Sequence, residues 1–224
     1  MNAKEIIKRY LFSTLGMLLV AVGIALSAVA NLGISSLNVA SYAMAEGIEG
    51  ITLGMGNFII YTILVLLQIV VLGKDFKLVD LLQFVANALL SLMIDGSLWV
   101  LQACGIVPGN LVMQFVFIVL ACLITAVGIS MEVTAQAWML PAEMTVSAFT
   151  RKLGGKFGTN KVIMDCAMIL LGAVLCFFLF EGRILGPQGT PIIGWGTVIM
   201  AVAVGLMMKL SSPLTDKLWN RIAR

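Results

Sequence analysis

Unbroken apolar runs recur along the chain at about 10–31, 57–73, 78–103, 111–133, 162–181 and 192–210. A helix rises about 1.5 Å per residue, so ~20 apolar residues cross a hydrocarbon core of ~30 Å. The run at 57–73 is only just long enough. Two further segments are shorter and more polar: Ser35–Gly47, and Trp138–Thr150, opened by Pro141. Each reads either as a poor full span or as a re-entrant half-helix. The pattern predicts an all-α polytopic membrane protein of six transmembrane helices plus two short re-entrant or broken helices.

Composition agrees. Of 224 residues, 61% are hydrophobic and 11% charged, with a mean hydropathy of +1.08. A water-soluble domain cannot hide that much apolar surface in one core, which excludes the aqueous globular classes. The first run, Tyr10–Ala30, is longer than a signal-peptide core and reads as the first membrane helix.

Basic residues then orient the chain. With six crossings and the N-terminus inside, the cytoplasmic segments hold Lys4, Lys8, Arg9, Lys74, Lys77, Arg151, Lys152, Lys156, Lys161, Lys209, Lys217, Arg221 and Arg224. Of the basic residues, only Arg183 falls outside. This positive-inside bias predicts a multi-pass protein of a bacterial cytoplasmic (inner) membrane with both termini cytoplasmic. If both short segments crossed, Lys74 and Lys77 would lie outside, so six crossings are preferred.

The chain also resembles itself. A shift of 105 residues aligns Leu11–Asn31 with Val116–Gln136, with eight of 21 positions identical, where composition alone would give ~2. Gly16, Gly23 and Ser27 form a small-residue stripe, and Ala121, Gly128 and Glu132 take the equivalent places. Small residues let membrane helices approach closely. Each half then runs long helix, short polar segment, long helix, long helix. With three crossings per half, the halves at 1–110 and 111–224 form an inverted 3+3 repeat within one membrane domain, a recurrent transporter plan.

The stretch Gly33–Ile34–Ser35–Ser36–Leu37–Asn38–Val39, with Pro141–Ala142–Glu143 and Gly194–Trp195–Gly196–Thr197, resembles the YczE/YyaS/YitT-type bacterial membrane proteins. That largely uncharacterised family often carries a Pro-aromatic-Asp element where this chain has Ser36–Leu37–Asn38, so an acid is replaced by an amide. The resemblance implies the architecture and leaves the substrate open.

Candidate chemistry centres on intramembrane acids, since a charge in hydrocarbon costs ~2.5–3.5 kcal/mol on insertion scales and needs a partner, water or a purpose. Asp95, Glu132, Glu143 and Asp165 lie within or beside the spans, and the pattern places no Lys or Arg deep enough to neutralise them. An acid-only interior favours protons, metal cations or organic cations over anions. Glu143 follows Pro141 at the opening of the second short helix, where a carboxylate also complements the helix dipole. Its counterpart under the 105-residue shift is Asn38. If the short helices meet, these two approach from opposite leaflets, with Ser35, Ser36, Gln136 and Thr145 supplying polar groups and Trp138 an apolar or interfacial wall. Met131, Met139, Met144 and Met164 flank the same region.

Glu132 lies on its helix's small-residue face, as a site residue or a solvated end. Asp165 is one turn into its helix, where a first-turn acid is the ordinary reading. Asp95 and Asn87, two turns apart, either line a cavity or bond between helices. Gly54, Gly56, Gly154, Gly155 and Gly158 mark hinges or simple turns.

The absence of histidine and of any CxxC spacing among Cys104, Cys122, Cys166 and Cys176 argues against zinc, haem or iron–sulfur cofactors. It also removes histidine-based catalysis, so no enzyme and no cofactor are expected. No Walker A motif or dinucleotide fingerprint occurs, and nothing points to nucleic acid. The leading expectation is a small secondary transporter for a polar or cationic organic solute, coupled to protons or sodium through intramembrane carboxylates. One rival is the substrate-capturing subunit of a vitamin-type importer, since Ala21 and Ala25 resemble its coupling patch. Another is a non-transporting scaffold. The expected partners are the lipid bilayer, a small solute and a coupling ion; the small-residue faces also permit a homodimer.

Overall fold

The computed structural model describes residues 3–138, 140–183, 185–187 and 189–223. Eight helices account for most of them: α1 (Ala3–Val29), α2 (Val39–Gly47), α3 (Leu53–Leu72), α4 (Leu82–Ala103), α5 (Leu111–Ala135), α6 (Pro141–Leu153), α7 (Phe157–Leu179) and α8 (Trp195–Ala223). A single 3-10 turn, Ser36–Asn38, leads straight into α2. Six helices are long and apolar enough to cross a membrane, all except the short α2 and α6. The chain is a multi-pass helical membrane protein.

Several helices are longer than their apolar runs. α1 starts at Ala3, because Lys4, Glu5, Lys8 and Arg9 are good helix formers that extend it beyond the apolar stretch. α3 starts at Leu53, where the Thr52 hydroxyl accepts from the Met55 amide and caps the first turn. α6 runs over 141–153 and not 138–150: Leu140 is extended, as the residue before a proline prefers, and Pro141 opens the helix. Met139 lies outside the described residues.

The surface is greasy and the interior is comparatively polar. Val70, Phe178, Trp99 and Leu92 stand well exposed on the outside. Ser13, Asn38, Asn57, Gln68, Asn87 and Thr145 are buried. This inversion suits a chain whose solvent is hydrocarbon, where polar groups must find partners inside the protein.

α1 and α5 form the central pair, packing along their small-residue stripes. A Cβ added to Gly16 would lie 2.7 Å from the Gly128 carbonyl oxygen, and one added to Gly128 would lie 2.6 Å from that of Gly16. Further along, a Cβ on Gly23 would lie 3.0 Å from the Ala121 carbonyl oxygen. Ascending positions on α1 meet descending ones on α5, so the helices run antiparallel with their backbones nearly touching. α4 packs on the outside of α1, and α8 on the outside of α5. The short helices are exchanged: α2 packs on α7 as well as on α3, while α6 packs on α3 as well as on α7.

Local geometry repeats at the spacing seen in the sequence. Asn31 and Gln136, 105 residues apart, both take the left-handed conformation just past a long helix, with φ of 54° and 50°. Ser36, where the 3-10 turn before α2 begins, and Pro141, where α6 begins, are separated by the same 105 residues. Gly54 and Gly56 are close-packing points and not hinges, since a Cβ on Gly56 would lie 2.6 Å from the Ser41 carbonyl and one on Gly54 would strike the Ser91 carbonyl.

Candidate functional site

Three acids, Glu132 of α5, Glu143 of α6 and Asp165 of α7, lie within electrostatic range of one side chain, Tyr61 of α3. Glu132 is only 6% exposed, its stem packed where Gly16 of α1 leaves room: a Cβ on that glycine would lie 3.2 Å from Glu132 Cγ. Its Oε1 is buried with no hydrogen-bond partner. Glu143 stands in the first turn of α6, near the helix's positive end, and its Oε2 is likewise buried and unpartnered. The two carboxylates lie within electrostatic range of one another. Asp165, on α7, lies in range of Glu143 and accepts a hydrogen bond from Ser36 Oγ at 3.1 Å. Tyr61 of α3, 3% exposed, lies within range of all three acids.

The interior is not purely acidic. Lys161 Nζ stands 3.7 Å from Asp165 Oδ1 and within range of Glu143. Read from the apolar run alone, Lys161 belongs to the loop before the span. α7 in fact starts at Phe157, which puts Lys161 on the helix one turn from Asp165, on the same face.

A family model matches residues 7–213: the family of unknown function DUF6198. The chain belongs to that family. No curated protein and no solved structure matches it. The family match shows no link to the YczE/YyaS/YitT-type proteins that the short motifs resemble.

Other residues singled out in this DUF6198 protein are occupied elsewhere. Asp95 braces α4 against the start of α3, accepting from Thr52 Oγ1 at 2.6 Å and from the Gly54 amide at 2.7 Å. Asn87 donates to the Phe58 carbonyl at 2.9 Å, bonding the same two helices. Gln136 is exposed and ends α5, its left-handed backbone donating to the Glu132 carbonyl. Trp138 is pinned to α1: its indole N–H donates to Thr14 Oγ1 at 3.1 Å and its ring meets Tyr10 edge-on at 4.9 Å. Asn38 is 2% exposed and donates to Ser35 Oγ at 2.7 Å, leaving its Oδ1 buried and unpartnered. The hydrogen bond from the first short segment to the acidic cluster is made by Ser36, not Asn38.

A second polar feature was not anticipated. Gln68 Nε2 lies 3.1 Å from Gln83 Oε1, 3.0 Å from the Pro141 carbonyl and 2.9 Å from Thr145 Oγ1. This knot ties α3 and α4 to the first turn of α6, the turn that also carries Glu143. Thr145 is thereby engaged in structure, donating to the Pro141 carbonyl at 2.6 Å. The available signal was an amide inside each of two otherwise apolar runs, at Gln68 and Gln83.

Proposed function

We propose that the protein is a small secondary active transporter of a polar or cationic organic solute, coupled to protons or sodium through Glu132 and Glu143. The observation that carries this reading is the pair of buried carboxylates, each with an unpartnered oxygen, lying in each other's field. Two carboxylates in a low dielectric are strongly disfavoured as a bare ionised pair, so the arrangement calls for a proton or a cation between them. Occupancy that changes the charge of a buried site is what couples one solute's movement to another's.

The repeat supports the same reading. The left-handed residues Asn31 and Gln136 recur at the spacing of the sequence repeat, as do Ser36 and Pro141, and the Gly16–Gly128 contact has its mirror in Gly23–Ala121. Two inverted halves, 1–110 and 111–224, exchanging their short helices around a central site, match the alternating-access plan. The positive-inside bias supports a bacterial cytoplasmic membrane with both termini inside. The motif resemblance to YczE/YyaS/YitT-type proteins is consistent with this architecture. The vitamin-importer reading is less favoured, because Ala21 and Ala25 are both fully buried and offer no surface to an energising partner.

The test is thermal stability of the purified protein against a panel of small metabolites at two pH values, beside Glu143→Gln. A ligand that binds the native state raises the melting temperature by mass action. The expected result is a shift with one solute class that Glu143→Gln abolishes, and accumulation of that solute by proteoliposomes under an ion gradient. Copurification with an energising subunit would favour the importer. Unchanged phenotype after neutralising both glutamates would favour a scaffold.

A further inference from the structure

Lys161 is a feature of the cluster that the transport reading leaves unused. Its ammonium sits 3.7 Å from Asp165 and within range of Glu143, so it links the acid bonded to the first short segment with the acid opening the second. The acids nevertheless outnumber it three to one, and the inner one, Glu132, keeps a buried oxygen with no partner. The Lys161 side chain is 30% exposed, against 14% for Asp165, so its tip has room to withdraw while the acid stays in place. Beside these charges lies the ring of Tyr61, 3% exposed and within electrostatic range of all three acids. Acids beside a buried aromatic ring suit an alkylated ammonium better than a small hydrated metal ion.

We infer that Lys161 is a tethered stand-in for the transported solute, that the solute is an organic ammonium cation, and that it enters by displacing the Lys161 ammonium from Asp165. This rests on the transport reading and adds the substrate class and a built-in competitor. A tethered competitor lowers apparent affinity by the fraction of time it occupies the site and clears it on leaving. It also keeps the acids partly neutralised when no solute is bound, which limits the cost of an empty charged site in the membrane.

The experiment uses tetramethylammonium chloride as probe, with sodium chloride at equal ionic strength as reference, on the full chain in detergent. In the wild type, brief acetylation with acetic anhydride is read at each lysine by peptide mass spectrometry. Tetramethylammonium is expected to raise labelling of Lys161 and to leave Lys217 unchanged; no rise, or an equal rise with sodium, overturns the inference. In Lys161→Gln the concentration of tetramethylammonium giving half-maximal thermal stabilisation is expected to fall about tenfold, and Lys161→Arg to restore it. An unchanged or higher value in Lys161→Gln overturns the inference equally. If Lys161→Gln does not fold, the wild-type labelling decides alone. Neither readout measures transport, so failure here leaves solute uptake dependent on Glu143 standing, and failure of that uptake leaves these results to be read separately.

Discussion

Two sets of acids lie within this bundle, and they are treated in opposite ways. Asp95 has both oxygens satisfied, by a hydroxyl and by a backbone amide at the start of α3. Glu132 and Glu143 each keep an oxygen buried without a partner. Both arrangements carry the desolvation cost of an acid inside a membrane protein, but only the first recovers it within the fold. The comparison teaches that position within a span does not by itself mark a functional acid. Unspent hydrogen-bonding capacity is what sets Glu132 and Glu143 apart as candidates.

The sharpest way to break the comparison is Asp95→Ala. Removing a charged acceptor that serves two donors should cost about 2–4 kcal/mol of stability, read by unfolding in mixed detergent, while the folded fraction responds to solute as before. A loss of solute response at retained stability would move Asp95 into the site. Next come Glu132→Gln and Glu143→Gln, for which the order of effects reverses. Solute affinity should fall about 10- to 100-fold, the equivalent of a charge-assisted hydrogen bond worth ~1.5–3 kcal/mol. Stability should hold or rise, because an amide is cheaper to bury than a charge.

Gln68→Leu falls between the two sets. It leaves Gln83 and Thr145 with fewer partners and loosens the first turn of α6, so about 1–2 kcal/mol of stability should go, with a smaller drop in solute affinity through Glu143. A large loss of affinity with stability intact would make Gln68 a ligand-contacting residue. The smallest effect belongs to Asp75→Asn. The Asp75–Lys152 pair, 2.7 Å long, is solvent-exposed at both ends, and its loss should leave the melting temperature where it was.

Much of the fold could be read from the chain because hydropathy acts over whole spans. The six crossings follow from run length, and the α1–α5 contact follows from the glycine stripe, since only small residues permit that approach. Boundaries set by single groups were harder. Pro141 opens α6 as the sequence indicates, but that helix continues past Thr150 to Leu153, and charged residues carried α1 past its apolar run. The candidate site was partly legible. Ser36 bonds Asp165, and Glu132 and Glu143 lie in range of one another, while Gln136 ends α5 and Trp138 is anchored on α1. Asp95 could not be assigned from sequence, because its donors lie some forty residues away, on a helix start that only tertiary packing brings near. Lys161 was visible four residues before Asp165, yet its role depended on how far α7 extends beyond the apolar run.

The exchange of short helices has a consequence for biosynthesis. α2 rests on α7, which is made more than a hundred residues later, and Gly172 of α7 is where Val39 seats closely. While the ribosome is still translating the second half, the first half therefore holds a short helix with buried Asn38 and Ser41 and no finished wall to cover it. Its polar groups must wait in the insertion machinery, among lipid headgroups or beside a chaperone until α7 is made. A chain cut between α4 and α5 should thus yield two fragments that are stable only when synthesised together.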